Sequence, residues 1–141
     1  MVVSAADHWT RNDGTHHPTG FWAEELVTPY SVFTEAGWDI DVATPGGIAP
    51  TVDQASLDEG AGDADTLQEV KAKLEELQPV LAKPLSLDNV KAADYDLVFY
   101  PGGHGPMEDL AVNEVSGRIL IERMADNAPV ALLCHAPAAV L

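Results

Sequence analysis

The chain has 141 residues, 46% of them apolar, and a formal charge of −16 from 23 acidic and 7 basic side chains; that allows one domain with a buried core and excludes a disordered chain. No stretch is apolar for the length of a membrane span, the first residues carry no signal-peptide pattern, and one cysteine allows no disulfide framework, so a cytoplasmic setting is expected. The acidic surface repels nucleic acid and anionic lipid, and it suits either a high-salt cytoplasm, where salt screens self-repulsion, or an ordinary acidic protein.

In chain order, residues 2–5 read as a remnant strand. Residues 21–36 read as a helix with Leu26, Tyr30 and Phe33 on one face, Gly37 as its stop, and Pro29 expected to kink or interrupt it. Residues 40–44 form a strand and 45–65 a Gly- and Asp-rich loop. In 66–81 the spacing of Leu67, Val70, Leu74, Leu77 and Leu81 predicts an amphipathic helix, with Lys71 and Glu75 placed for a weak surface pair. Residues 86–93 read as a short helix capped by Ser86. Residues 94–100 form a strand leading into Pro101-Gly102-Gly103-His104-Gly105. Residues 114–127 read as a helix with Ile119, Leu120 and Met124 inward, and 130–133 as a buried strand. Alternating strands and helices predict a parallel sheet covered by helices, an α/β fold of the flavodoxin-like three-layer αβα type.

Cys134 ends the last strand, in Leu132-Leu133-Cys134-His135-Ala136-Pro137. A strand, a sharp break and small helix-forming residues make the context of a nucleophile elbow. A helix N-terminus aimed at the sulfur would lower the thiol pKa. The alternative is a buried cysteine acting as a small hydrophobe. Gly102 and Gly103 follow the neighbouring strand, where a backbone N–H can point at an oxyanion; with the N–H of His135 they form the expected oxyanion hole. The N-terminal turn of the 21–36 helix should reach the same sheet edge, which brings in Glu25. A carboxyl group beside the sulfur is expected to have a raised pKa and to shuttle a proton. Glu24 points about 100° away from Glu25 and is expected in solvent. His16, His17 and Glu24 contain the residue types of a metal set, but adjacent loop histidines rarely share one ion, and no metal or other cofactor is expected. His17 is assigned to the turn into the helix and a pocket lip, and Trp22 and Trp38 to core or pocket wall.

Four segments then acquire a common meaning. Tyr100-Pro101-Gly102-Gly103-His104-Gly105 and Cys134-His135-Ala136-Pro137-Ala138 resemble the ThiJ/PfpI superfamily of class I glutamine-amidotransferase-like domains. Residues 19–29 and 35–47 are similar to the branch of small heat-shock chaperones with glyoxalase III activity. The resemblance covers residue 2 to the end and assigns the whole chain, 1–141, to the N-terminal part of one such domain, incomplete at its C-terminus. It implies Cys134, Glu25 and His135 as catalytic residues and His104, His17 and Trp22 as substrate contacts. A consecutive residue such as His135 should not easily aim its ring at the sulfur.

The implied activity is a glutathione-independent, cysteine-dependent lyase converting methylglyoxal to lactate. The alternatives are a stress chaperone with a redox-sensing cysteine, and a glutaminase- or peptidase-like hydrolase. Partners are expected to be a small aldehyde and a second copy in a homo-oligomer, without nucleic acid or membrane. A missing segment after the cysteine would expose apolar surface and a sheet edge and so favour association or low stability.

Overall fold

The computed structural model describes residues 1–141. In chain order its elements are β1 (His8–Thr10), β2 (His16–Pro18), α1 (Ala23–Glu35), β3 (Ala43–Thr44), α2 (Ala64–Leu81), β4 (Leu85–Ser86), β5 (Val98–Tyr100), α3 (Gly105–Glu108), α4 (Glu114–Ala125) and β6 (Val130–Leu132), with short 3₁₀ turns between them. β3 pairs with β4, and β5 with β6, both parallel. Segment 2–3 joins the two pairs. Val2 bridges Ala43 in parallel, its N–H donates to Phe99 O at 2.8 Å, and the Val3 N–H donates to Ala43 O at 2.9 Å. The remnant strand is therefore the centre of the sheet.

Successive strand residues point to opposite faces, and the core divides accordingly. Val2, Ala43, Val98 and Tyr100 pack with Ile119 and Leu120 of α4. Val3 and Val42 pack with Leu26 and Val27 of α1 and Val70, Leu74 and Leu81 of α2. Helices cover both faces of a parallel sheet, which is the expected αβα arrangement. α2 begins where Asp63 accepts the Thr66 N–H at 3.0 Å, and α4 where Asn113 accepts the Ser116 N–H at 2.9 Å. These caps satisfy N–H groups that the first helical turn leaves free.

Several local expectations fail. α1 runs unbroken through Pro29. Residues 86–93 form two 3₁₀ turns rather than an α-helix, and the Ser86 hydroxyl donates to Asp88 instead of capping. On α2 the surface pair is Lys73 with Glu76, at 3.1 Å. On α4 the inward residue is Arg123, 5% exposed, while Met124 is 69% exposed. The Arg123 guanidinium donates to four backbone carbonyls, of Ala92, Tyr95, Asp96 and Pro129. Finally, β1 and β2 form an antiparallel hairpin, with Trp9 opposite His17, where the sequence reading placed a turn.

Candidate active site

β6 delivers the chain to Cys134, which adopts φ +54°. A side chain in this left-handed region costs about 1 kcal/mol or more, and the surroundings hold it there. Leu133 N–H donates to Tyr100 O at 3.0 Å, and Ala136 N–H donates back to Leu133 O at 2.9 Å. These bonds fix a sharp turn between the strand and a five-residue 3₁₀ turn, Ala136–Val140. The expected α-helix behind the cysteine is thus only a short 3₁₀ segment. The turn also swings the His135 ring back: its Nδ1 lies 3.1 Å from Cys134 Sγ. The expectation that a consecutive imidazole cannot reach the sulfur is corrected by this backbone conformation.

β5 delivers Pro101-Gly102-Gly103 alongside. Gly102 is squeezed between the two reactive side chains. A Cβ there would lie 2.5 Å from Cys134 Cβ and 2.6 Å from Glu25 Oε2. Its N–H donates to Glu25 Oε2 at 2.9 Å, and its carbonyl accepts the Trp22 N–H at 3.1 Å. The Gly102 N–H therefore holds Glu25 rather than standing free for an oxyanion. At Gly103, φ +93°, a Cβ would run into the Gly20 carbonyl and lie 2.7 Å from Trp22 N, which leaves no room for a side chain. The N–H groups of Gly103 and His135 are the two that act on the sulfur.

Glu25 faces the sulfur from the first turn of α1, while Glu24 is exposed. Burial pushes the Cys134 thiol up, and the Glu25 carboxylate pushes it further; the Gly103 and His135 N–H groups pull in the other direction. The net direction is up, opposite to the low-pKa thiol expected from a helix N-terminus.

His104 leans on His135, with ring centroids 4.6 Å apart and planes tilted by 42°. His17 meets His104 edge-on at 6.1 Å, and Trp9 stacks on it at 5.8 Å with planes 10° apart. Burial, then the neighbouring His135, hold His104 below the ordinary imidazole range against the opposing pull of Asp53, so it is neutral at pH 7. Its buried Nδ1 has no hydrogen-bond partner. His16 lies apart, stacked on His8 at 4.2 Å. No three His, Cys, Asp or Glu side chains converge in a metal-holding geometry. Trp22 is half-buried and precedes α1, and Trp38 is 45% exposed beside Phe33, away from the sulfur. The site is an open dish: Cys134 and His135 are exposed.

Two supporting networks escaped the sequence reading. Thr19 donates to Asp53 at 2.6 Å, Ser56 Oγ donates to Asp53 O, and the same Ser56 Oγ accepts the Ala23 N–H at 3.1 Å. This buried chain positions the start of α1, two residues before Glu25. Asp109 accepts the Ser4 hydroxyl at 2.8 Å and the Ala5 N–H at 2.7 Å, which ties the end of the central segment to the end of α3. The Asp-x-x-Ser spacing at 53–56 was the available signal for the first.

Residues 17–141 match the DJ-1/PfpI family. The chain belongs to that family. It is 29% identical to the protein/nucleic acid deglycase HchA of Staphylococcus aureus, over 100% of this chain and 48% of the relative, so it spans about half the length of the curated relatives it matches. Among solved structures, the 24-kDa rapid encystment protein of Francisella tularensis is 27% identical with a TM-score of 0.78, covering 99% of this chain and 59% of that one. Glyoxalase III from Candida albicans, at 23% identity and a TM-score of 0.75, covers 98% of this chain and 57% of its own and shares the fold. This chain thus has the α/β fold of the DJ-1/PfpI family.

Proposed function

We propose that the chain carries the thiol, the base and the oxyanion donors of a glyoxalase III-like lyase that turns methylglyoxal into lactate without glutathione. The observation that carries this reading is the meeting of Cys134 Sγ, the Glu25 carboxylate and the His135 imidazole at one strand-end turn. Because the thiol is raised, its proton must leave as it attacks, and the adjacent Glu25 and His135 are placed to take it. The sulfur adds to the aldehyde carbon and gives a hemithioacetal. Glu25 removes the proton from that carbon to form an enediol, then returns it to the neighbouring carbon. The product is a lactoyl thioester, which one water hydrolyses to lactate and free thiol. The N–H groups of Gly103 and His135 are the donors available to the developing oxyanion, while Gly102 fixes the base. His104, His17 and Trp22 form the surrounding wall.

The exposure of Cys134 favours a second reading, in which the same addition acts on aldehyde adducts carried by larger molecules, as the name of the HchA relatives describes. Purified chain with methylglyoxal and no glutathione tests the first. Lactate should form, and Cys134→Ala should abolish it. Lactate formation that survives Cys134→Ala removes the thiol mechanism. The readings separate by rate law: free methylglyoxal saturates the lyase, whereas a deglycase follows the concentration of preformed adduct.

A further inference from the structure

Glu108 is remote from the reaction and anchors the hairpin on α3 by hydrogen bonds. Its carboxylate accepts the Thr10 N–H at 2.7 Å and the Thr10 hydroxyl at 2.9 Å, and His8 Nε2 lies 3.6 Å away. These bonds and the nearby His8 and His16 rings hold the Glu108 carboxyl below the ordinary range, so the anchor is charged at neutral pH. Thr10 is adjacent in β1 to Trp9. The anchor therefore sets the height of the Trp9 ring over His104. His104 in turn lies against His135, whose Nδ1 faces the sulfur. The ring column has few other supports: His104 Nδ1 is unpartnered, and His135 is exposed.

We propose that Glu108 is a positioning residue for the Cys134–His135 pair, acting through Thr10, Trp9 and His104. The hairpin works as a brace. Releasing it lets His104 swing into water and frees His135 from the sulfur. The carboxylate that bears on the thiol is Glu25, and the backbone N–H groups of Gly103 and His135 oppose it; the groups that bear on His104 are His135, Asp53 and His17. None of these is altered by a change at Glu108, so a change in thiol behaviour must pass through the ring column. This inference builds on the proposed role of Cys134 but not on any particular substrate.

The test is the pH profile of Cys134 alkylation by iodoacetamide in the full chain, with circular dichroism and melting as fold controls. Partial loss of the His135 contact should raise the profile's midpoint by about one pH unit. Glu108→Ala should show that rise with unchanged secondary structure, and Glu108→Gln, which keeps a carbonyl acceptor for Thr10, a smaller one. Trp9→Ala should reproduce the rise, Trp9→Phe should restore the wild-type midpoint, and Glu108→Ala with Trp9→Ala should add nothing to Trp9→Ala alone. If Glu108→Ala melts, Thr10→Val and Trp9→Ala give the answer. Unmoved midpoints in folded variants overturn the brace. Because the readout is alkylation, absence of lactate formation would count against the lyase reading and leave this one standing.

Discussion

At the residue scale, Cys134 and Glu25 work against each other in the resting site. The carboxylate proposed as the base opposes ionisation of the sulfur it faces. The sign is clear. A thiol raised above its ordinary value stays protonated through neutral pH, so Cys134 should react with iodoacetamide more slowly than free cysteine at pH 7 and catch up only in alkaline solution. Glu25→Gln removes the opposing charge and keeps an oxygen for the Gly102 N–H. Alkylation at neutral pH should therefore rise by about threefold to tenfold. Lactate formation should fall by about 100-fold or more, because the base is gone. A variant in which both rates fall together would mean that Glu25 supports the fold of the turn rather than acting on the sulfur. Much of this pairing was legible. The apolar run before Cys134, the glycine pair and the acidic helix start each carry a local signature. The thiol's direction was not, because it depends on burial and on the approach of Glu25 from a distant helix.

At the element scale, Arg123 shows why a periodicity reading fails where a helix buries a charge. The pattern on α4 places Ile119 and Leu120 correctly, then assigns the next inward position to the apolar Met124. The structure turns the inward position to its neighbour, because loose carbonyls need donors there. Residues 92–96 lead into β5 and Pro129 into β6, and both bring carbonyls to α4; those of Ala92 and Pro129 also accept backbone N–H groups, whereas those of Tyr95 and Asp96 depend on Arg123. Arg123 donates to Ala92 at 3.1 Å, Tyr95 at 2.6 Å, Asp96 at 2.8 Å and Pro129 at 3.0 Å. One guanidinium thus clamps the entrances of the two strands that carry the glycine loop and Cys134. Nothing in the local sequence announces those carbonyls, whereas the apolar spacing of α2 announces its own buried face. The hairpin escaped for a similar reason: its strands are three residues each and polar, and long-range contacts with Glu108 and His104 hold them. Arg123→Ala should cost about 3 kcal/mol by urea unfolding, since it leaves the Tyr95 and Asp96 carbonyls without donors. Arg123→Lys should recover only part, because a single ammonium cannot span both loops. Full recovery by lysine would show that charge alone, not the fork geometry, holds the strands.

At the scale of the whole molecule, charge decides how salt acts. The formal charge is −16, with only 7 Lys and Arg. Of those cations, Lys73 alone forms a bridge to a carboxylate, the exposed contact with Glu76. Arg123 is occupied with neutral carbonyls. Added salt therefore has one exposed pair to weaken, worth under about 1 kcal/mol, and a broad mutual repulsion to relieve. The melting temperature should rise with sodium chloride from low salt upward. Each kcal/mol gained should appear as about 3–5 °C for a chain of this size. The rise should flatten toward molar salt, where the screening length has shrunk to about 3 Å, shorter than most distances between surface carboxylates. Flattening distinguishes screening from exclusion of salt from the protein surface, which keeps growing with concentration and is stronger with sulfate. A melting temperature that falls with sodium chloride, or that climbs without limit and follows sulfate, would show that repulsion among the carboxylates does not limit this fold.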